Sequence, residues 1–369
     1  MMKLLTGLWW LICRLFPVKK NKIVISSYYG RGYSDSPKAI ADELLRRNEG
    51  LDIVWLTDNP KSLPEGVRAA RYSGLGRIYE LSTAKVWIDN CRKGARFKKS
   101  GQIYMQTWHG FALKRIEKDV VDKLPDPNYE AYAVRDSGQT DLIVSNSAHM
   151  TEIYKKSFWY SGEVAEFGSP RNDVLFRGGG AREKVRRALG IDGSAMIVLY
   201  APTFRVDHSL EPYRLDDAAL VDALEARFGG RWVFVTRLHP NIARLSGELN
   251  YKNAVDATMY DDIQELLSAS DAIISDYSSV IFDFALTGRP CFQYAADIDA
   301  YRRDRNFYIP LDKLPFPLSV TPDELCESIR NFNDGAFEEK WKSFAGQYGI
   351  IEDGQASRRC ADWILEKIK

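Results

Sequence analysis

Two stretches of the chain end an apolar run on an imidazole. Gln106-Thr107-Trp108-His109-Gly110, with Lys114 one turn later, follows the run that starts at Ile103, and Arg237-Leu238-His239-Pro240 follows WVFVT. An apolar strand that stops at polar residues sets them at its carboxyl end, the edge at which parallel α/β sheets bind ligands. A histidine there can take the proton of an attacking hydroxyl, a contribution of roughly 10²–10⁴ in rate. The chain has only four histidines, and the other two, His149 on a helix and His208 in a polar loop, lack this setting. Capping of a strand end is the alternative use of His109. Gly110 permits close backbone approach beside it, and Trp108 and Lys114 complete a polar and aromatic group at this point.

Three further clusters suit an anionic ligand. Ser275-Asp276-Tyr277-Ser278-Ser279 precedes the apolar helix VIFDFAL. Free N–H groups at a helix start attract phosphate, and the hydroxyls of Ser278 and Ser279 add donors, although an ordinary serine cap gives the same pattern. Asp276 and Asp283 belong to this group, Asp283 as a brace of the turn. Gly168-Ser169-Pro170-Arg171-Asn172-Asp173 lies midway along the chain, and Tyr200-Ala201-Pro202-Thr203-Phe204-Arg205 follows another apolar run. Arginine forks bind phosphate oxygens well. Arg171 and Arg205 could equally pair with carboxylates. Near the amino terminus, Ser27, Gly30, Gly32 and Asp35 fall in SSYYGRGYSDSPK, a glycine-rich turn that is neither a dinucleotide fingerprint nor a Walker loop. It is a candidate wall for an acceptor substrate. No H-E-x-x-H, G-x-S-x-G or D-x-D pattern occurs.

The elements that must carry these groups alternate. Apolar runs at 22–27, 52–57, 85–90, 103–108 and 142–145 read as strands, with helices over 37–47 and 147–159. After a break at 169–194 the rhythm restarts with strands at 195–201, 232–237, 272–275 and 290–293 and helices at 216–228, 261–270 and 280–286. This is the pattern of doubly wound parallel sheets. The expected fold class is therefore α/β, with two Rossmann-like domains facing a cleft.

Composition agrees. The chain has 369 residues, enough for two domains as a prior. Lys plus Arg number 51 against 50 Asp plus Glu, so the basic excess of a nucleic-acid binder is missing. Five scattered cysteines, with no C-x-x-C pair, indicate neither a disulfide framework nor a zinc site, and so a reducing compartment. The apolar stretch Leu4 to Phe16 is broken by Arg14 and is too short to span a bilayer, which takes about 20 residues. With two tryptophans and the following Lys19, Lys20 and Lys22, it reads as a short amphipathic helix lying at a membrane interface.

Taken together, the motifs S-x-x-G-x-G-x-x-D-S-P-K-A, Q-T-W-H-G-x-x-L-K, G-S-P-R-N-D, Y-A-P-T-F-R, R-x-H-P and S-D-Y-S-S-V-x-F-D-F, followed by Tyr301-Arg302 and Asn306-Phe307-Tyr308, resemble the CDP-glycerol glycerophosphotransferase family of teichoic acid synthesis. The ordered set covers residues 22 to 312. The resemblance implies a glycosyltransferase-B-like fold and transfer of glycerol phosphate from CDP-glycerol to a hydroxyl, with release of CMP. It implies attachment to the cytoplasmic face of the membrane. His109 and His239 match the family's catalytic histidines. The expected donor site is Arg171, Asn172, Asp173, Thr203, Arg205, Arg237, Pro240, Asp276, Ser278, Ser279 and Asp283. The expected acceptor side is Ser27, Gly30, Gly32, Asp35, Trp108, Gly110 and Lys114. No metal or other cofactor is expected to be obligatory.

The implied domains are a membrane-associating helix at 1–20, an acceptor domain at 21–180, a CDP-glycerol domain at 181–350 and a helix at 351–369 that packs back on the first domain. The compact length favours the primase step on an undecaprenyl-diphosphate disaccharide (ManNAc-GlcNAc). The alternatives are a poly(glycerol or ribitol phosphate) polymerase and a nucleotide-sugar glycosyltransferase of the same fold. Oligomeric state stays open.

Overall fold

The computed structural model describes residues 2–60, 63–123, 126–178, 180–205, 209–238, 248–249, 251–304 and 306–369. The chain divides into two compact units. The first comprises residues 1–109, 116–173 and 349–369, and the second residues 110–115 and 174–348.

The first unit is built on seven strands: β1 (Lys19–Ser26), β2 (Asp52–Leu56), β3 (Val67–Ala70), β4 (Ala84–Asp89), β5 (Ile103–Gln106), β6 (Leu142–Ser145) and β7 (Glu163–Glu166). All pair in parallel, in the order β3-β2-β1-β4-β5-β6-β7. Alternation along the strands feeds two cores. Ile23, Ile25, Trp55, Val86 and Ile88 point to one face. There they meet Ile40, Ala41 and Leu44 of α2 (Asp35–Arg47) and Cys360, Ala361 and Ile364 of the carboxyl-terminal helix Ala356–Ile368. Val24, Val54, Leu56 and Trp87 point to the other face, onto α3 (Leu75–Thr83) and the amino-terminal helix α1 (Met2–Cys13).

Thus α1 is a wall of the first unit. Trp10 and Cys13 are buried, the Trp10 ring lies 5.0 Å edge-on to Phe97, and Trp9 Nε1 donates to the Leu75 carbonyl at 2.9 Å. Leu8, Leu11, Ile12, Leu15 and Phe16 remain exposed on and just after the helix. No helix among the described residues is long and apolar enough to cross a membrane. The basic flank is shorter than the sequence suggests. Lys22 belongs to β1, is fully buried, and donates to Thr83 Oγ1 at 2.6 Å while pairing with Glu80.

The second unit has six parallel strands: β8 (Met196–Tyr200), β9 (Trp232–Thr236), β10 (Val255–Asp256), β11 (Ala272–Ser275), β12 (Cys291–Tyr294) and β13 (Leu318–Ser319), in the order β10-β9-β8-β11-β12-β13. The segment 110–115 belongs to this unit. Lys114 bridges antiparallel to Phe307, the Tyr308 N–H donates to the Leu113 carbonyl at 2.8 Å, and the Phe111 ring packs 4.7 Å from Phe282. Each sheet reverses its strand order once, between β1 and β4 and between β8 and β11. A crevice at the carboxyl ends of the strands forms at such points.

Candidate functional site

In the first unit the chain leaves β1 through Ser26 and Ser27 into a tight turn. Tyr28 and Tyr29 have φ of 44° and 59°, Gly30 has φ of 87°, and Asp35 at the start of α2 has φ of 65°. Trp108, just past β5, has φ of 51°. Left-handed backbone at a non-glycine residue costs about 1–2 kcal/mol. Four such residues in one place are held by the hydrogen bonds around them. At Gly30 a Cβ would fall 2.5 Å from Tyr72 Cβ, so the turn admits only glycine there. Gly32 (φ 119°) has open space around it, and its carbonyl accepts from Trp55 Nε1 at 3.0 Å. Ser27 is buried, with its hydroxyl 3.2 Å from that of Ser34.

His109 stands at the centre of these contacts. Its Nδ1 lies 2.6 Å from the Asn90 carbonyl oxygen. A carbonyl only accepts, so Nδ1 carries the hydrogen and Nε2 of the neutral ring keeps its lone pair. The Trp108 ring stacks on the imidazole at 4.5 Å, and the Tyr28 ring meets it edge-on at 5.7 Å. Burial is the largest influence on the imidazole and lowers its pKa below 6.5, against the opposing pull of the Asn90 carbonyl and Asp35. Neutral His109 with a free Nε2 has the form of a general base.

The supports of this site are buried polar groups. Asp35 accepts from the Tyr28 hydroxyl at 2.7 Å, from Arg171 Nη1 at 3.1 Å and from the Ser36 N–H at 2.7 Å. Burial by itself would raise the Asp35 carboxyl, but Arg171, Tyr28 and Ser36 outweigh it and hold the pKa below the usual value. Asn90, one residue past β4, is fully buried, and its Oδ1 accepts from the Tyr28 N–H at 2.9 Å. Its Nδ2 is buried without a hydrogen-bond partner. Leaving such a donor unpaired costs about 1–3 kcal/mol. Beneath it Lys93 is buried, bonded to Asp89 at 2.8 Å and Ser26 at 2.9 Å.

Two residues expected at the donor site do other work. Asp173 accepts from the Ala356 N–H at 3.0 Å, from the Ser357 N–H at 2.8 Å and from the Ser357 hydroxyl. It caps the carboxyl-terminal helix. Asn172 Nδ2 donates to Glu352 at 3.0 Å. Arg171, Asn172 and Asp173 all belong to the first unit. The Asp35 pair with Arg171 joins residues 136 positions apart, which no local pattern could reveal.

The second unit gathers Thr203, Arg205 and Asp276 at the ends of β8 and β11. The Asp276 carboxylate accepts from the Thr203 N–H at 2.8 Å and the Tyr277 N–H at 2.6 Å and pairs with Arg205 at 2.8 Å. Arg205 also forms a fork to Asp297, at 2.6 and 2.9 Å, and its guanidinium lies over the rings of Tyr277 and Tyr301 at 5.0 and 5.2 Å. These two rings stack at 3.8 Å. Burial alone would lower the Arg205 pKa, but the charge is met by two carboxylates, which together outweigh that cost and hold the pKa above the usual arginine value. Asp297 and Tyr277 carried no signal of this role in the sequence.

Ser278 and Ser279 are partly exposed. The Ser278 hydroxyl accepts from the Val280 N–H at 3.4 Å, and Ser279 makes no side-chain cap. The helix they precede, Val280–Ala285, has six residues, so its dipole is weak. Asp283 is buried within it and accepts from Gln264 Nε2 at 3.0 Å, a brace between helices. Arg237 donates through Nη1 to the Thr258 carbonyl. His239 and Pro240 lie outside the described residues. Gly110 (φ 125°) and Lys114, expected beside His109 on the acceptor side, belong to the second unit, where Lys114 Nζ lies 5.8 Å over the Tyr301 ring.

Relatives share both halves. A teichoic acid poly(glycerol phosphate) polymerase of Staphylococcus epidermidis is 32% identical over 95% of this chain and 51% of its own length, so the chain spans about half of that relative. A polymerase of the same name from Bacillus spizizenii is 31% identical over 96% of this chain and 94% of its own. A teichoic acid glycerol-phosphate primase from Bacillus spizizenii is 29% identical over 62% of this chain and 58% of its own. Among solved structures, a histidine-to-asparagine variant of the wall teichoic acid polymerase TagF soaked with CDPG superposes with a TM-score of 0.85, at 31% identity, over 98% of this chain and 93% of that one. The matching family profile runs over residues 10–366, and the chain belongs to the CDP-glycerol:poly(glycerophosphate) glycerophosphotransferase family of teichoic acid biosynthesis.

Proposed function

We propose that this protein transfers glycerol phosphate from CDP-glycerol to a hydroxyl of a lipid-linked teichoic acid acceptor. The observation that carries the reading is His109, a half-buried residue whose Nδ1–H is held by the Asn90 carbonyl at 2.6 Å so that Nε2 is free to accept a proton. The acceptor oxygen forms a bond to the phosphorus that carries glycerol. The bond from that phosphorus to the CMP oxygen breaks, and the hydroxyl proton passes to Nε2. Thr203, Ser278, Ser279 and His239 of the second unit are the groups assigned to the diphosphate, with Arg205 and Asp276 fixing the loop that presents Thr203. The scheme assigns no obligatory metal, and chelator is expected to leave turnover unchanged.

Resemblance to polymerases along nearly the whole chain supports repeated addition. Compact length does not argue for priming, because a polymerase of nearly the same length is among the relatives. The membrane is the second substrate surface. On α1, Leu8, Leu11 and Ile12 are exposed, with Leu15 at 86% just beyond, beside Arg14 and Lys19. Apolar side chains with a basic flank suit the headgroup boundary of an anionic leaflet. A nucleotide donor and five buried, unpaired cysteines are consistent with the cytoplasmic face.

The test is incubation with CDP-glycerol and a short-tailed lipid disaccharide bearing one glycerol phosphate, reading CMP release and product mass. A ladder of products is expected; no addition to this acceptor, with a single addition to the disaccharide that lacks glycerol phosphate, would return the reading to priming. His109→Ala should lower turnover 10²-fold or more. In the wild type, kcat/KM should fall with acid through a value below pH 6.5, because burial favours the neutral imidazole. Turnover of His109→Ala near that of the wild type would refute the base role.

A further inference from the structure

We infer that Asn90 is a positioning residue for proton transfer by His109. Its main-chain carbonyl fixes the tautomer of the imidazole, and its side chain fixes the strained turn that packs against the same ring. The inference rests on the reading of His109 as the base.

Asn90 follows β4 directly, at the point where the strand order of the first sheet reverses. Asp89 precedes it and is tied on both oxygens. Oδ2 accepts from Ser26 and Lys93, and Oδ1 accepts from the Cys91 N–H at 3.0 Å. That turn aims the Asn90 carbonyl at His109 Nδ1. The side chain leaves in another direction and receives the Tyr28 N–H at 2.9 Å. Tyr28 sits at φ 44°, and its ring edge and hydroxyl connect His109 to Asp35. One residue therefore supports the imidazole directly and through Tyr28.

The orientation of the amide is not arbitrary. Turning it over would set Nδ2 against the Tyr28 N–H, donor against donor. The acceptor is placed where the turn needs it, and the donor is left buried and unpartnered. Local costs of this kind gather where a site demands one geometry. The charged and titratable groups that act on His109 are Asp35 on α2, Arg171 in the turn at 170–172 and Glu117, with the Cys91 thiol 3.9 Å from Nδ1 and the Tyr28 phenol beside the ring. Asp35 and Glu117 favour the protonated ring and Arg171 disfavours it.

Asn90→Ala removes the acceptor for Tyr28. Asn90→Asp keeps an oxygen there and adds a negative charge next to the imidazole. Full-length variants are compared for kcat, KM for CDP-glycerol and the pH profile. His109 is followed by ¹⁵N NMR of histidine-labelled protein and assigned with His109→Ala. We expect Asn90→Ala to lose 10-fold or more in kcat at every pH, with KM for CDP-glycerol within twofold and the Nδ1–H signal of His109 broadened or mixed. Asn90→Asp should be weak near pH 6.5 and recover above pH 8, its acid limb moved up by about one pH unit, with the NMR titration of His109 moving equally. Wild-type kcat and pH profiles in both variants would overturn the inference. Equal losses in both at every pH, tracking a fall in Tm, would make Asn90 merely structural and overturn it too. An active His109→Ala would instead remove the base reading, while the NMR tautomer still reports whether Asn90 fixes the ring.

Discussion

Asp173 was expected to touch the donor, and the structure gives it a capping role that can be weighed. Its carboxylate takes three hydrogen bonds from the first turn of the carboxyl-terminal helix, and both Asp173 and Ser357 are buried. In Asp173→Ala no side chain replaces it and water has little access. Loss of a cap costs about 0.5–2 kcal/mol, and each buried donor left unpaired costs about 1–3 kcal/mol. Partial relaxation of the helix end keeps the total below the sum, at about 3 kcal/mol. For a unit of roughly 150–250 residues each kcal/mol moves Tm by about 2–4 °C, so the loss should appear as about 6–12 °C. Asp173→Asn keeps one acceptor and should lose about half as much. Calorimetry reads the shift, and hydrogen exchange should show early loss of protection over 356–364. The capping argument fails if Asp173→Ala melts within 2 °C of the wild type. It fails more sharply if Tm holds while KM for CDP-glycerol rises tenfold, since that would return the carboxylate to the donor.

The remaining predictions concern each unit in turn. Arg205→Ala leaves Asp276 and Asp297 facing each other without their cation, and breaking a buried pair costs about 3–5 kcal/mol. Urea unfolding should show the second unit destabilised by that order, and an unchanged midpoint would count against the charge argument. Leu11→Glu with Leu15→Glu should weaken binding to anionic vesicles at least 10-fold while leaving Tm within 2 °C, because both side chains are exposed. Retained vesicle binding in flotation assays would remove α1 from the membrane surface.

Much of the scaffold could be read from residue order alone. The runs around Ile23–Ile25, Ile53–Leu56, Ile197–Tyr200 and Ala272–Ser275 are apolar on both faces, as strands covered on two sides must be. β3, β7, β10 and β13 escaped notice because they are edge strands of two to four residues, too short for an apolar run to stand out. The strand expected to run to Trp108 stops at Gln106, where the left-handed Trp108 turns the chain. Asn90 was visible only as the polar end of an apolar run, without a reason to prefer it to its neighbours.

What the sequence by itself determined is the period of the elements and the strand ends at which reactive side chains fall, because burial of alternating apolar faces is a local code. It placed His109, Asp276 and Thr203 at carboxyl ends of strands without knowledge of their partners. Tertiary structure alone decided which charges are spent. Arg171 is met by Asp35, Arg205 by Asp276 and Asp297, and Asp173 by a helix that begins 183 residues later. Pairing of buried polar groups depends on distance in space, and the order of residues along the chain does not carry that distance.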